Sequence, residues 1–233
     1  MKISIVFPIH NEYENLYSLI EDWDSKLKLI SNLNYEFVLV EDGSTDGTKE
    51  LIKKLKRKYN IKLITGKSRK GFSKAVQDGL KNANSEYVLM MDSDGQCDFK
   101  KILEFWKHRK NYDSINAYRI RRKDFAYRRV FSSVCYFIYN ILFQVPLKDP
   151  SFTFIMVNKK VYKSLNNYKV QCPDGFSWEF NARSKMKGFN FKNIPMTHKK
   201  RPFGDTKIYT YSNLPGIAFR HFVGMIKIKF FFG

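Results

Sequence analysis

The sequence predicts an α/β fold, a mostly parallel central sheet with helices on both faces, followed by amphipathic helices near the C-terminus. The first hundred residues alternate short apolar runs with helical stretches, and those runs are apolar throughout rather than at every second residue. Uniformly apolar strands are typical of parallel sheets that helices cover on both faces. Apolar stretches with interspersed basic residues, at 125–143 and 212–233, predict the amphipathic helices.

Each element follows from its local pattern, taken in chain order. Strands are expected at residues 3–7, 37–40, 61–64, 87–91 and 152–157. Helices are expected at residues 14–29, from Thr45 or Asp46 to 58, and at 73–82, 125–143 and 177–186, with a basic loop at 199–207. Ligands bind beyond the carboxyl ends of parallel strands. We therefore expect the polar clusters at 8–12, 41–46 and 92–96 to meet at one edge of the sheet.

Composition limits what the chain can be. Its 233 residues favour one domain, and 43% hydrophobic residues exclude a disordered polyelectrolyte. The N-terminal apolar run is cut by Pro8, Asn11 and Glu12, unlike a secretory signal, and no segment has the roughly 18 uninterrupted apolar residues of a spanning helix. The cysteines form no C-x-x-C pair, which predicts a reduced, intracellular protein; they are Cys97, Cys135 and Cys172.

The charge is strongly positive and unevenly placed. The 42 Lys and Arg residues outnumber the 22 acidic residues, for a formal charge of +20. Residues 181–233 hold eleven of the cations and only one acidic residue, Asp205, whereas the carboxylates concentrate in the first hundred positions. This distribution predicts an anionic partner: nucleic acid, anionic lipid or a phosphorylated substrate.

Residues 92–96 read Asp-Ser-Asp-Gly-Gln and follow a predicted strand. The side chains of Asp92, Asp94 and Gln96 offer oxygen ligands for a hard cation such as Mg²⁺ or Mn²⁺. Such a cation would neutralise the charge of a departing diphosphate. The alternative is an Asp-rich turn, since Asp-x-Asp-Gly is common turn composition.

Residues 40–48 place a second acidic cluster at a strand end. The carboxylate of Asp42 can accept a hydrogen bond from a nucleobase N–H, which uracil and guanine both present. Gly43 and Gly47 permit a tight turn into the next helix. The alternative is a purely structural turn between the strand and the next helix, with Asp46 as the N-cap of that helix. The neighbouring residues 67–71 lack the spacing of a phosphate-binding loop and are read as a basic loop near the same edge.

Together these segments resemble the family 2 glycosyltransferases, which have the GT-A architecture. The matching motifs are residues 6–12 (Val-Phe-Pro-Ile-His-Asn-Glu), 40–48 (Val-Glu-Asp-Gly-Ser-Thr-Asp-Gly-Thr) and 89–96 (Leu-Met-Met-Asp-Ser-Asp-Gly-Gln). Their order and spacing are those of the family.

Beyond residue 100 the chain resembles the dolichyl-phosphate mannose synthase and polyprenyl-phosphate glycosyltransferase branch. The matching positions are Tyr118-Arg119, Arg128 and Arg129, residues 145–149, residues 176–183 and residues 201–207. The chain departs from that branch at residues 150–154, where the branch's Gly and Arg are missing, at Gly95, and at Thr206, which replaces a Ser.

The resemblance implies a single GT-A domain over residues 1–211, with a nucleotide-sugar half (1–100), an acceptor half (101–211) and an amphipathic basic tail over 212–233. It implies catalytic roles for Asp94, Arg201 and Lys207. It implies nucleotide-sugar contacts from Pro8, Asn11, Glu12, Val40, Asp42, Asp92 and Ser93. It implies Mg²⁺ or Mn²⁺ on Asp92, Asp94 and Gln96, and acceptor contacts from Arg119, Arg128, Asp149 and Glu179.

The charge pattern favours a lipid phosphate as the acceptor of an inverting transfer. A phosphate monoester attacks without a general base but needs cations to bind it, whereas a sugar hydroxyl needs a carboxylate to take its proton. Cations are many beyond residue 118, while the carboxylates beyond Asp124 are few: Asp149, Asp174, Glu179 and Asp205. A sugar hydroxyl in cell-surface polysaccharide synthesis is the alternative acceptor.

Two further classes stay open. A nucleic-acid-binding protein would suit the charge, although no nucleic-acid motif is present. A catalytically inert family member could act as a partner subunit. The expected partners are a UDP- or GDP-linked sugar, a polyprenyl-phosphate or glycan acceptor and an anionic membrane surface. Nucleic acid is not expected as a partner, and the chain could form an oligomer. The expected location is peripheral, on the cytoplasmic face of the cell membrane, held by residues 125–143 and 213–233.

Overall fold

The computed structural model describes residues 1–66, 68–120, 126–197 and 213–231, without the side chains of 126–131 and 214. Its strands are β1 (Lys2–Ile9), β2 (Asn34–Glu41), β3 (Ile61–Thr65), β4 (Tyr87–Met91), β5 (Ser114–Ile120), β6 (Phe154–Asn158) and β7 (Phe191–Thr197). Its helices are α1 (Tyr13–Leu27), α2 (Thr48–Leu55), α3 (Phe72–Asn82), α4 (Lys101–His108), α5 (Ala126–Phe143), α6 (Lys159–Ser164), α7 (Phe176–Met186) and α8 (Leu214–Phe231).

The described strands form one sheet in the order β3-β2-β1-β4-β6-β5-β7. All neighbours pair in parallel except β6, which is antiparallel to both β4 and β5. The mostly parallel α/β sheet is therefore confirmed. The sequence analysis did not anticipate β5, β7, α4 or α6, and the helix expected to reach residue 58 ends at Leu55, after which the chain turns.

Both faces of the central strands are buried, which explains their uniformly apolar sequences. On one face, Ile5 and Phe7 of β1 pack in a cluster with Leu16 and Trp23 of α1. On the other, Val6 packs in a second cluster with side chains of α3, α6 and α7. Because neither face of these strands meets water, few polar side chains occur before the strands end, and the buried Ser4 of β1 is hydrogen-bonded to Glu36 and Ser85.

Helix α3 lies unusually close to the sheet at Gly79. A Cβ atom at Gly79 would overlap Val6 Cγ1 and lie 3.2 Å from Val40 Cγ2. Both valines are buried and stiff about χ1, so neither can turn aside at low cost. The missing side chain thus fixes the distance of α3 from β1 and β2.

The C-terminal helix α8 packs against α5 and α7 along one face. Its buried residues are Ile217, His221, Gly224, Met225 and Ile228, of which Met225 and Ile228 join a third apolar cluster with residues of α5 and α7. The opposite faces of α5 and α8 expose large apolar side chains, namely Val134, Phe137, Ile141, Phe219, Phe222, Phe230 and Phe231. We call these seven residues the α5/α8 apolar face. None of the described helices combines the length and apolarity required to cross a bilayer.

We predict that Gly79→Ala lowers the free energy of unfolding by about 1–2 kcal/mol. Overpacking a filled site costs about 1–3 kcal/mol, which exceeds the roughly 1 kcal/mol that alanine contributes in a helix. Urea unfolding measures the change. The matched control is Gly216→Ala on α8, where the new Cβ would only approach Arg220 Nη1 at 3.6 Å. Equal stability of the two variants would contradict the close-packing argument.

Candidate active site

Polar side chains lie together at one edge of the sheet, where β1, β2, β4, β5 and β7 end and where β6 begins. Pro8 pairs with Val40 where β1 and β2 end, and Met91 at the end of β4 pairs with Phe154 at the start of β6. Because β6 is antiparallel, the segment before it also lies at this edge. Arg119 near the end of β5 pairs with Met196 of β7. The expected convergence of the segments after β1, β2 and β4 is therefore present, and strands β5 and β7 end there too.

The loop after β1 is hydrogen-bonded to the loop after β2. The main-chain N–H of Asn11 donates to Ser44 Oγ at 3.0 Å, and the Thr45 N–H donates to Asn11 Oδ1 at 2.8 Å. Asn11 adopts a positive φ of 55°, a conformation that Asn tolerates better than most residues. The side chain of Asn11 thus joins two of the predicted nucleotide-sugar segments.

Asp46 anchors the start of α2 to the start of α1. Its carboxylate accepts from the Thr48 N–H at 3.0 Å and from the Tyr13 N–H at 3.1 Å. Burial opposes ionisation, but the hydrogen bonds from Thr48 and Tyr13 hold the pKa of the Asp46 carboxyl below its ordinary value. The expected N-cap was wrong by one residue: α2 begins at Thr48 with Gly47 as its N-cap, and Asp46 binds the first N–H of α2 and of α1 from outside both helices.

Glu12 is buried at the start of α1. Its Oε2 accepts from Asn15 Nδ2 at 2.8 Å, and its main-chain N–H donates to Thr48 Oγ1 at 3.0 Å. These contacts place Glu12 between the starts of α1 and α2.

Asp42 contacts the loop between β3 and α3. Its Oδ1 accepts from the Lys70 N–H at 2.7 Å and its Oδ2 from the Gly71 N–H at 2.8 Å. Next to it, Gly43 has a φ of 73°, and a Cβ there would lie 3.0 Å from Arg69 N. We call these two hydrogen bonds the Asp42 clamp. The sequence analysis placed the basic loop near the edge but did not predict the clamp, because Lys70 and Gly71 lie 28 and 29 residues after Asp42.

Residues 92–96 form a tight turn at the end of β4. Ser93 Oγ donates to the carbonyl oxygen of Pro8 at 3.0 Å, which ties this turn to β1. The Gln96 N–H donates to Asp94 Oδ1 at 3.1 Å, and Gly95 has a φ of 71°. The turn interpretation therefore holds for the backbone, while the same turn presents both carboxylates at the edge.

The oxygen atoms of this turn suit a hard divalent cation. Asp92, Asp94 and Gln96 supply two carboxylates and an amide, which is the donor chemistry that Mg²⁺ and Mn²⁺ prefer. Within the part of the chain that the structure describes, no three His, Cys, Asp or Glu residues are grouped to hold a metal. A cation held here would take its remaining ligands from water and a bound phosphate, as is usual for Mg²⁺.

The buried thiol of Cys97 is influenced by Asp92, Asp94 and Arg119 together. Burial raises the pKa of this thiol well above its ordinary value, the carboxylates of Asp94 and Asp92 raise it further, and the guanidinium of Arg119 lowers it. The Arg119 guanidinium is therefore close enough to these two carboxylates to act on the same buried group.

Arg119 is held by residues that precede β6. Its Nε and Nη2 donate to the Asp149 carboxylate at 2.7 and 3.0 Å, and Nη2 also donates to Ser151 Oγ at 2.6 Å. The guanidinium carbon lies 5.2 Å from the ring centre of Phe152. Ser151 and Phe152 belong to the segment 150–154 that departs from the branch resemblance, so the departing residues contact the predicted acceptor arginine.

Glu179 lies in a different environment. Its Oε2 accepts from the N–H groups of Gln171 and Cys172, each at 2.8 Å, and its Oε1 accepts from Arg183 Nε at 3.0 Å. Burial raises the pKa of the Glu179 carboxyl above its ordinary value, although the hydrogen bonds and Arg183 oppose this. The described contacts bring Glu179 to residues 171–172 and not to Arg119, and its acceptor role stays a prediction.

Three of the predicted site groups cannot be placed. Arg201 and Lys207 lie outside the described residues, and so does the side chain of Arg128. Thr197, the last described residue before the segment that contains Arg201 and Lys207, pairs with Ile120 at the edge described above.

Comparison with known proteins agrees with this geometry. The sequence model of Glycosyl transferase family 2 matches residues 4–165. A dolichol-phosphate mannosyltransferase of Pyrococcus furiosus is 30% identical over 217 residues, which cover 89% of this chain and 59% of that protein. The chain thus spans about six tenths of this relative's length.

Two solved structures show the same fold. Glucosyl-3-phosphoglycerate synthase from Mycobacterium tuberculosis, in complex with Mn²⁺, UDP and glucosyl-3-phosphoglycerate, is 15% identical with a TM-score of 0.68, covering 98% of this chain and 80% of its own. A mannosyltransferase from Pyrobaculum calidifontis, in complex with GDP-mannose and Mn²⁺, is 16% identical with a TM-score of 0.58, covering 95% and 70%. The GT-A-like fold expected from the sequence is confirmed by these likenesses.

We predict that Asp149→Asn lowers the free energy of unfolding by about 1.5–3 kcal/mol, because the partly buried Arg119 loses charge-assisted hydrogen bonds. The Arg119 and Asp149 side chains are only 14% and 9% exposed. The matched control is Glu21→Gln, which breaks the exposed contact with Lys58 and should leave stability almost unchanged. Chemical unfolding of both variants checks this. An Asp149→Asn variant as stable as the control would show that the pair adds nothing.

Proposed function

The chain belongs to glycosyl transferase family 2, and from that premise we propose that it is an inverting glycosyltransferase acting on a polyprenyl phosphate. The donor would be a UDP- or GDP-linked sugar. The observation that carries the proposal is the shared edge, where the acidic turns after β2 and β4 lie and where Asp92 and Asp94 act on the same buried thiol as the cation Arg119. We propose further that residues 1–211 form the transferase domain and 212–233 its membrane-facing tail.

The donor subsite would be formed by the segments after β1, β2 and β4. Each Asp42 oxygen accepts one main-chain hydrogen bond, which leaves further lone pairs for a nucleobase N–H. Pro8, Asn11, Glu12, Val40 and Ser93 would shape the same subsite. The UDP and GDP-mannose complexes of the two structural relatives support a nucleotide sugar as the donor.

Asp92, Asp94 and Gln96 would hold Mg²⁺ or Mn²⁺ against the donor diphosphate. The bound cation would supply charge neutralisation for the departing nucleoside diphosphate. The Mn²⁺ in the two structural relatives supports this assignment. Arg201 and Lys207 would add phosphate contacts, as a bidentate guanidinium and a point charge respectively.

The acceptor argument rests on how the late carboxylates are used. In the described residues beyond 124, Asp149 pairs with Arg119, Asp174 with Arg220 and Glu179 with Arg183. An arginine already engages an oxygen of each of these carboxylates, which leaves the carboxylate poorly placed to take a proton from a sugar hydroxyl. A sugar hydroxyl would need such a base, whereas a phosphate monoester would not. The pairing therefore supports a lipid phosphate, gathered by Arg119 and Arg128, and the name of the Pyrococcus relative supports it too.

The α5/α8 apolar face would lie on the cytoplasmic surface of the cell membrane. Its side chains include Phe137, Phe219 and Phe230, each about two thirds exposed at 66%, 69% and 67%. Lys227 and Lys229 on the same helix would add about 1 kcal/mol each near an anionic leaflet. Apolar side chains beside basic residues are typical of helices that lie in a membrane interface.

The decisive experiment is a screen of UDP- and GDP-linked sugars with Mn²⁺ and a polyprenyl phosphate. We expect one donor to yield a lipid-extractable product, without transfer to soluble glycans. Transfer to a glycan hydroxyl instead would establish the alternative acceptor. Salt-sensitive oligonucleotide binding without turnover of any donor would point to a nucleic-acid-binding protein.

We predict that Asp94→Ala lowers the transfer rate by about 10²–10³-fold or more, as expected when a group that stabilises developing charge is lost. Asp92→Ala should lower it to a lesser degree, and neither change should alter the fold, because both side chains lie at the strand edge. Initial rates and circular dichroism are the measurements. The control is Asp98→Ala, two residues beyond Gln96, because the Asp98 carboxylate accepts a hydrogen bond from the Lys100 N–H and is not a proposed metal ligand. Metal-dependent turnover that is unchanged in Asp94→Ala would refute the metal assignment.

We predict that the full chain floats with anionic liposomes at low salt and that replacing Phe219 and Phe230 by Ser weakens this partition at least tenfold. Each phenylalanine contributes up to about 3 kcal/mol when it leaves water. The control replaces two exposed leucines by Ser: Leu29, which lies just beyond α1, and Leu103, which lies on α4. A wild-type chain that stays at the bottom of the gradient, or equal partition of the two double variants, would contradict the membrane proposal.

A further inference from the structure

Helix α8 docks on residues 171–175, which we call the bridging segment. A Cβ at Gly224 would lie 2.6 Å from Cys172 Sγ and 2.8 Å from the carbonyl oxygen of Gln171. A Cβ at Gly175 would in turn lie 2.7 Å from His221 Nε2. The two elements therefore touch through glycines on both sides, an approach that leaves no room for a side chain.

The bridging segment is held on its other side by α3 and α7. Ser73 Oγ donates to the carbonyl oxygens of Cys172 and Pro173 at 2.9 and 2.7 Å. Glu179 accepts from the N–H groups of Gln171 and Cys172. Ser73 is 2% exposed and Glu179 1% exposed, so water cannot readily replace these bonds.

The same stretch of chain connects Ser73 to Asp42. Lys70 and Gly71, whose N–H groups donate to the Asp42 carboxylate, are only two or three residues before Ser73. Asp42 thus fixes the last two residues of the loop between β3 and α3, and the bridging segment fixes the first turn of α3, which follows directly.

We propose that α8 and the bridging segment position the loop between β3 and α3, and with it the Asp42 carboxylate at the donor subsite. Ser73 and Gly224 are then positioning residues that contact no substrate. Displacing α8 moves the bridging segment, removes the acceptors of Ser73 Oγ and frees the start of α3 to shift against Asp42. The donor part of this inference rests on the proposed function, but the mechanical part does not.

Gly224→Ala tests the connection from the side of α8. Its new Cβ would meet a backbone oxygen and a buried sulfur, which cannot turn aside as a flexible side chain can. Gly216→Ala is the matched control, because it makes the same change on the same helix where the nearest atom is 3.6 Å away. Ser73→Ala breaks the connection without altering α8, and it also serves if Gly224→Ala does not fold.

The first measurement is hydrogen exchange of the full chain without nucleotide. We expect Gly224→Ala and Ser73→Ala to speed exchange of the Lys70 and Gly71 amides at least fivefold, and Gly216→Ala to leave it unchanged. Faster exchange in α8 or the bridging segment without a change at Lys70 and Gly71 would overturn the proposal. Unchanged exchange everywhere in both test variants would overturn it as well.

The second measurement is donor affinity. Titration with UDP and with GDP, each with Mn²⁺, should show at least tenfold weaker binding of the better nucleotide by both test variants. In Ser73→Ala the donor KM should rise while the acceptor KM stays unchanged, a split that general destabilisation would not cause. A wild-type chain that binds neither nucleotide would refute the proposed function, while the exchange result still decides the positioning. Wild-type affinity in both test variants would overturn the donor part.

Discussion

Because helices cover both faces of β1, β2 and β4, these strands accept almost no polar side chains along their length, and polar chemistry collects where they end. The parallel pairing of β1 with both neighbours then places all three ends at one edge. Gly79 contributes to the same constraint, since a side chain at this position would prevent α3 from packing so close to β1 and β2. The location of the candidate site follows from this burial, before any catalytic residue is considered.

At that edge the acidic and basic groups are used differently. Asp42 and Asp46 accept main-chain hydrogen bonds from neighbouring loops, so their charge is balanced by N–H dipoles rather than by cations. Asp149, by contrast, is paired with Arg119. A carboxylate balanced by dipoles keeps lone pairs for a ligand, whereas one paired with an arginine mainly orients that arginine. Under the proposed function, this difference would separate a donor side from an acceptor side within one edge.

Local patterns predicted the first half of the fold well, because uniformly apolar strands such as β4 at Tyr87–Met91 have sharp polar ends. They missed β5 and β7 for physical reasons. The polar Asn116 in β5 is buried, and its side chain donates a hydrogen bond to Asn181 of α7 at 2.8 Å. Pro195 is compatible with β7 because β7 is the outermost strand of the sheet. The three strand-end motifs were visible in sequence, but the Asp42 clamp was not, since its partners meet only after folding.

The segment 150–154 shows how a departure from a family pattern can be read physically. By sequence alone, the missing Gly and Arg put the acceptor in doubt. In the structure this segment gives Arg119 a hydroxyl from Ser151 and an aromatic face from Phe152, beside the two bonds from Asp149. A guanidinium held through several of its N–H groups and stacked on a ring loses little further freedom when an anion binds. The replacement residues therefore give one arginine a fixed orientation, which is what a phosphate-gathering site requires of its cation.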